Sequence, residues 1–130
     1  MDTWRGHFPL TGFIRQALLK KEADGDALEF SSAEKILYTA CQFWAALASR
    51  ELDRYLGNQS ISRLILAFEA FSSIGAVRVA SVLRVAIGDW PEHPSVSWLG
   101  EHAQELESRL LDTDESVDQL IAQFASEHLV

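Results

Sequence analysis

The sequence predicts an all-α protein, a compact single-domain bundle of five or six helices. Apolar residues recur every three or four positions along nearly the whole chain, and no segment alternates as a strand would. The 130 residues suit one domain, residues 1–130. Since 48% of them are hydrophobic, a core can form without a metal or a disulfide.

Two helices are expected in the first half of the chain. Helix one is predicted at about residues 11–22 from its apolar stripe. Ser31 begins helix two, with Glu34 three residues later, which is the pattern of a capping box. The apolar period of helix two continues to Leu56, and Gly57-Asn58 then predicts a stop in the left-handed conformation.

Four further helices are expected after that stop. Ser60 is predicted to cap helix three, and Gly75 separates helix three from helix four. Pro91 ends helix four, because the residue before a proline disfavours helical backbone. Helix five covers about residues 96–111. Helix six follows it, with a predicted N-cap at Asp112 or Thr113.

Several side chains are expected inside the bundle. Cys41 lies in the apolar stripe of helix two, so its thiol is predicted to be buried and structural. Phe68 and Leu83 are expected to be core residues on facing helices. Trp90 and Trp98 flank a proline loop and are expected to fix it to the bundle.

The sequence carries no catalytic or metal-binding pattern. No two of the histidines stand three or four residues apart, the spacing that places two ligands on one helix face; they are His7, His93, His102 and His128. Phosphate-binding glycine loops and a nucleophile elbow are also missing from the sequence. We therefore predict no enzyme activity, no catalytic residue, no metal and no cofactor. The alternative, an enzyme with an unrecognised site, would need a pocket that joins residues far apart in the sequence, and a deep polar cleft around His102 or Glu69 would favour it.

The net charge of −8 is concentrated in the last third of the chain. Residues 1–88 carry ten Lys/Arg and nine Asp/Glu, whereas residues 89–130 carry one Lys/Arg and ten Asp/Glu. Direct nucleic-acid binding requires cations that neutralise phosphates, so this composition argues against it. It indicates a basic protein partner, unless the carboxylates serve only solubility.

The carboxylates of helix five and of the start of helix six are the candidate partner-binding residues. Glu101, Glu105 and Asp112 share one helical face, since Glu105 follows Glu101 by four residues and Asp112 follows it by eleven. A protein that imitates a phosphate backbone would display such a face. The full predicted set is Glu101, Glu105, Glu107, Asp112, Asp114, Glu115 and Asp118.

The order of these features resembles a bacterial family of unknown-function domains that includes a DNA-mimic protein. The likeness covers residues 34–129, through FEAFSSIGA at 68–76, VASVL at 79–83, LESRLL at 106–111 and the closing helix near Glu127-His128. It implies an all-helical fold and a protein-binding acidic surface. The family carries an Asn-Asn-Gly-Gly turn where this chain reads YLGNQS at 55–60. The role of that turn is therefore not carried over.

The function predicted from the sequence is that of an acidic protein that binds and blocks a basic protein, either a DNA-binding protein or a toxin. One alternative is a structural or oligomeric module, compatible with a homodimer, that uses an apolar face of helix two or the Trp90–Trp98 loop. No run of about 18 apolar residues and no signal-peptide pattern occurs, so we expect a cytoplasmic protein with no membrane segment.

Overall fold

A computed structural model of the protein describes residues 31–128, and all regular structure within that range is helical. The α-helices found there are α1 Ser32–Ala48, α2 Leu52–Leu56, α3 Ser60–Ser73, α4 Val77–Asp89, α5 Val96–Leu111 and α6 Val117–His128. A 3-10 turn, Gly57–Gln59, joins α2 to α3. The predicted all-α fold class is confirmed. The helix expected at residues 11–22 lies outside the described residues.

The first described helix begins as predicted but ends earlier. The Ser31 hydroxyl accepts a hydrogen bond from the Glu34 N–H at 3.1 Å, and the Glu34 carboxylate accepts one from the Ser31 N–H at 3.0 Å. This is the predicted capping box. The prediction that the helix continues to Leu56 is wrong, since α1 ends at Ala48 and α2 starts after a short turn.

The turn after α1 is a Schellman motif formed around an arginine. Arg50 has a φ of 59°, in the left-handed region that glycine adopts most easily. The Glu51 N–H donates to the Ala46 carbonyl at 2.9 Å, and the Arg50 N–H donates to the Leu47 carbonyl at 3.1 Å. Gly75, with a φ of 87°, ends α3 in the corresponding way, which confirms the predicted break.

The start of α3 differs from the prediction in two respects. Gly57 ends α2 with a positive φ of 51°, as predicted, but its ψ of −144° departs from the left-handed helical conformation. Ser60 is the first residue of α3 and not its cap, which is Gln59. The Ser60 hydroxyl is fully buried and accepts a hydrogen bond from the Trp90 indole N–H at 3.0 Å.

The expected bounds of helix five are confirmed, whereas the expected start of helix six is wrong. Ser95 caps α5, its hydroxyl accepting from the Trp98 N–H at 3.1 Å. Asp112 is the C-cap of α5, so it does not cap the next helix. Thr113 does not cap it either, because α6 begins at Val117.

The helices pack around one core. The most extensive contact joins α3 to α4, which follow each other through residues 74–76. Helix α1 lies against α3 and α6, while α5 lies against α2 and α4. Helix α6 therefore packs mainly on α1, from the opposite end of the described chain.

Aromatic rings from three helices meet in the core. Phe43 and Phe71 are fully buried, and their rings meet edge to face with centroids 5.6 Å apart. Tyr55 meets Phe43 in the same way at 5.8 Å. Burial raises the pKa of Tyr55, and the Arg63 guanidinium, 5.0 Å from the ring centroid, offsets part of that rise.

The predicted core is confirmed for two residues and partly for a third. Leu83 and Cys41 are fully buried. Phe68 is only partly buried and packs against the core from its edge. The reason is its place on α3, whose fully buried face carries Leu64, Ala67 and Phe71.

Candidate functional site

The structure does not place the seven predicted partner-binding carboxylates on one surface. Glu101, Glu105, Asp112 and Asp114 are exposed, and Glu115 is half-buried. Glu107 and Asp118 are buried, with 5% and 8% of their surface exposed. We call the four exposed residues the acidic strip.

The acidic strip begins on the side of α5 that faces away from the core, with Glu101, Glu105 and the C-cap Asp112, and it ends at Asp114 in the loop after α5. Its helical positions are about half a turn from the buried Leu106 and Leu110, since successive residues are separated by roughly 100° around an α-helix. Within the strip, Glu105 forms an ion pair of 3.2 Å with Arg109. Both side chains are more than half exposed, so water screens this pair and its contribution to stability is small.

The Glu115 carboxylate stabilises the fold by capping the N-terminus of α4. Its oxygens accept hydrogen bonds from the Val79 N–H at 2.9 Å and the Arg78 N–H at 3.3 Å. Ala76, the N-cap of α4, has no side-chain oxygen to do this. A negative charge at this end of α4 is also favoured by the helix dipole. The Arg78 guanidinium donates to the Thr113 carbonyl at 3.3 Å, which ties the same loop to α4.

We expect Glu115→Ala to lower the free energy of unfolding by about 1–2 kcal/mol. The N–H groups at the start of α4 would lose their acceptors, and the Val79 N–H is partly buried. Urea denaturation measures the change. The matched control is Glu101→Ala, whose side chain is exposed and should alter stability by less than about 0.5 kcal/mol. Equal effects of the two substitutions would contradict the capping role.

Glu107 is held against the short helix α2. Its Oε2 accepts a hydrogen bond from the Leu52 N–H at 3.2 Å, and both groups are buried. Leu52 is the first residue of α2, and the side chain of the N-cap Glu51 accepts no hydrogen bond from the backbone N–H groups of this helix. Glu107 therefore joins α5 to α2 and is removed from the exposed acidic strip.

A polar cleft opens where α5 meets the turn between α1 and α2. It has a volume of about 220 Å³ and is lined by Arg50, Asp53, Gly100, Ala103, Gln104 and Glu107. The α5 members stand three, four and seven residues from Gly100, so they form one stripe of the helix. The cleft brings one cation, two carboxylates and one amide together.

The tryptophans of the proline loop and His102 form an aromatic corner. Trp90 is buried, and its ring meets Trp98 edge to face at 4.8 Å. His102 stacks on Trp98 with centroids 3.7 Å apart, and its Nδ1 lies 2.8 Å from the Trp98 carbonyl oxygen. The loop is thus fixed to the bundle as expected. Trp90 is accordingly not available as an apolar docking surface.

A polar cleft around His102 or Glu69 would have favoured an enzyme, but neither residue lines the observed polar cleft. His102 is held against Trp98 on another side of α5, and Glu69 is exposed on α3. Among residues 31–128, no three His, Cys, Asp or Glu side chains are grouped so that they could hold a metal ion. Within the same part of the chain, no helix has the length and apolarity needed to cross a membrane.

Sequence reasoning missed Arg50 and Asp53 as members of a site. No local pattern joins them to residues 100–107, because the contact depends on how α2 packs against α5. For Glu115 a signal did exist. The start of α4, Ala76-Val77, lacks a capping side chain, which indicates that a remote group must supply the acceptor.

Comparisons with models of protein families, with curated proteins and with solved structures found no match to this chain. The resemblance to the DNA-mimic family therefore stays a prediction.

Proposed function

We propose that the protein is a non-enzymatic cytoplasmic protein that binds and blocks a basic protein through its acidic strip. A DNA-binding protein and a toxin are both partners of this chemistry. The observation that carries the proposal is the exposure of Glu101, Glu105 and Asp112 on the side of α5 that contributes nothing to the core, together with the exposed Asp114 in the loop that follows. Arg109 is the only cation of residues 89–130, so the strip repels anions and attracts cations.

The positions of these charges favour a role in binding over one in stability. Asp112 lies at the C-terminal end of α5, where the helix dipole disfavours a negative charge. Glu101, Asp112 and Asp114 form no ion pair with any residue of the described range. Lysine or arginine side chains of a partner would supply the missing countercharges and speed association.

We expect a variant with Glu101→Gln, Asp112→Asn and Asp114→Asn to lose the partner while it remains folded. Removal of exposed like charges leaves stability unchanged or slightly higher. Asparagine also tolerates the positive φ of 53° at position 114. The immobilised full chain is used to retain proteins from an extract of its native cells, and the retained proteins are compared at low and high salt.

The matched control removes the same number of charges elsewhere. Glu69, Asp89 and Glu92 are exposed and lie outside the strip, so Glu69→Gln, Asp89→Asn and Glu92→Gln leave it intact. We expect the control variant to retain the same basic protein as the wild type, and to release it at high salt because exposed charges are then screened. If both variants retained the basic protein equally, the acidic strip would not be its binding surface.

A second candidate is an interaction module that uses an apolar face. Four large apolar side chains remain exposed on the paired helices α3 and α4: Ile65, Leu66, Val77 and Val85. The apolar stripe of α1, which we expected for this role, is instead occupied in the core. A partner that is retained at high salt and lost in Leu66→Ser would favour this second function, since burial of apolar surface does not depend on charge screening.

A further inference from the structure

We propose that the polar cleft between α5 and the α1–α2 turn binds a small zwitterionic amine of the amino-acid class. The ligand ammonium would pair with the Glu107 and Asp53 carboxylates, and the ligand carboxylate with the Arg50 guanidinium. These three charged residues line the cleft together with the Gln104 amide. A zwitterion is the simplest ligand that complements both signs of charge.

The buried carboxylate of Glu107 supports this assignment. With 5% of its surface exposed, it has given up most of its hydration, which is costly for a charged group unless partners replace the water. A carboxylate offers about four acceptor positions. Within residues 31–128, the Leu52 N–H is the only hydrogen-bond donor to Glu107, and no cation pairs with it. Its second oxygen is therefore an acceptor suited to an ammonium group in the cleft.

The positive charge of the cleft comes from Arg50, which has an uncommon backbone conformation. Arg50 takes a left-handed φ of 59°, where glycine would be the less strained choice. It forms no ion pair with any residue of the described range, so its guanidinium remains available for a carboxylate. An arginine at this position places a cation at the cleft, which glycine could not do.

The size of the cleft limits the ligand. About 220 Å³ is below the roughly 300–1,000 Å³ typical of pockets for drug-sized molecules, and it exceeds the space of a single water molecule many times. No residue of the acidic strip lines the cleft. Glu101 and Glu105 follow Gly100 and Gln104 by one position each, which turns them by roughly 100° around α5. This site therefore does not depend on the proposed protein partner.

The test is an NMR titration of the full chain with glycine, methylammonium and acetate. We expect glycine to shift the backbone amides of Gly100 and Gln104 in a saturable way. Methylammonium and acetate, which each carry one of the two charges, should bind at least about tenfold more weakly. Absence of a saturable shift with glycine would overturn the proposal, and so would equal binding of methylammonium or acetate.

Two variants assign the charges to residues. Glu107→Gln keeps an oxygen for the Leu52 N–H and removes the charge, and Arg50→Gly removes the guanidinium and suits the positive φ. We expect each to weaken glycine binding at least about tenfold, while thermal unfolding confirms that both are folded. The control is Arg54→Ala, because Arg54 is an exposed cation of α2 that does not line the cleft. Equal affinities of all three variants for glycine would contradict the assignment.

Discussion

Replacement of Phe71 by alanine is expected to lower the free energy of unfolding by about 3–5 kcal/mol. The Phe71 side chain is fully buried on α3, and its ring contacts Phe43 at 5.6 Å and Trp44 at 6.0 Å between centroids. Its removal would create a cavity between α1 and α3 and break two edge-to-face contacts. Chemical denaturation, monitored by tryptophan fluorescence, measures the loss of unfolding free energy.

Phe68→Ala is the matched control for this prediction. Phe68 stands three residues before Phe71 on the same helix, has the same side chain and is only partly buried. Its replacement removes less surface from the core, so the loss should be clearly smaller. A domain of this size is stable by only about 5–15 kcal/mol, so Phe71→Ala also raises the unfolded fraction. Equal losses at the two positions would show that α3 is rotated relative to its position here.

Helical periodicity predicted the elements whose ends carry local signals. The capping box of Ser31 and the left-handed Gly75 mark helix ends in the sequence itself, and both were predicted. The turn at Arg50 was not, because arginine is an uncommon residue in the left-handed conformation. The apolar period also continues through it to the buried Leu52 and Leu56, so two helices have the pattern of one.

The acidic face was predicted in part, and the helical wheel explains which members were misplaced. Glu107 stands four residues after Ala103 and three before Leu110, both buried, so it flanks the apolar stripe of α5. That position indicates burial, whereas Glu101 and Glu105 stand on the opposite side. Glu115 could not be placed in this way, since its contact with α4 joins residues 36 and 37 positions apart.

Trp90→Ala is expected to cost about 3–5 kcal/mol of unfolding free energy, because it removes a large buried ring that joins three helices. Trp90 follows the end of α4, its indole N–H donates to the buried Ser60 hydroxyl at the start of α3, and its ring packs on Trp98 of α5. Thermal and urea denaturation of the variant measure the loss.

A double-mutant cycle separates the energetic contribution of the Trp90–Ser60 hydrogen bond from that of ring packing. Trp90→Phe keeps an aromatic ring but leaves the Ser60 hydroxyl, which is fully buried, without its donor. Ser60→Ala leaves the indole N–H without its acceptor, and each single change should cost about 1–3 kcal/mol. The double variant should cost clearly less than the sum of the two, because neither polar group is then left unpaired. Additive losses in this cycle would contradict an energetic role for the Trp90–Ser60 hydrogen bond.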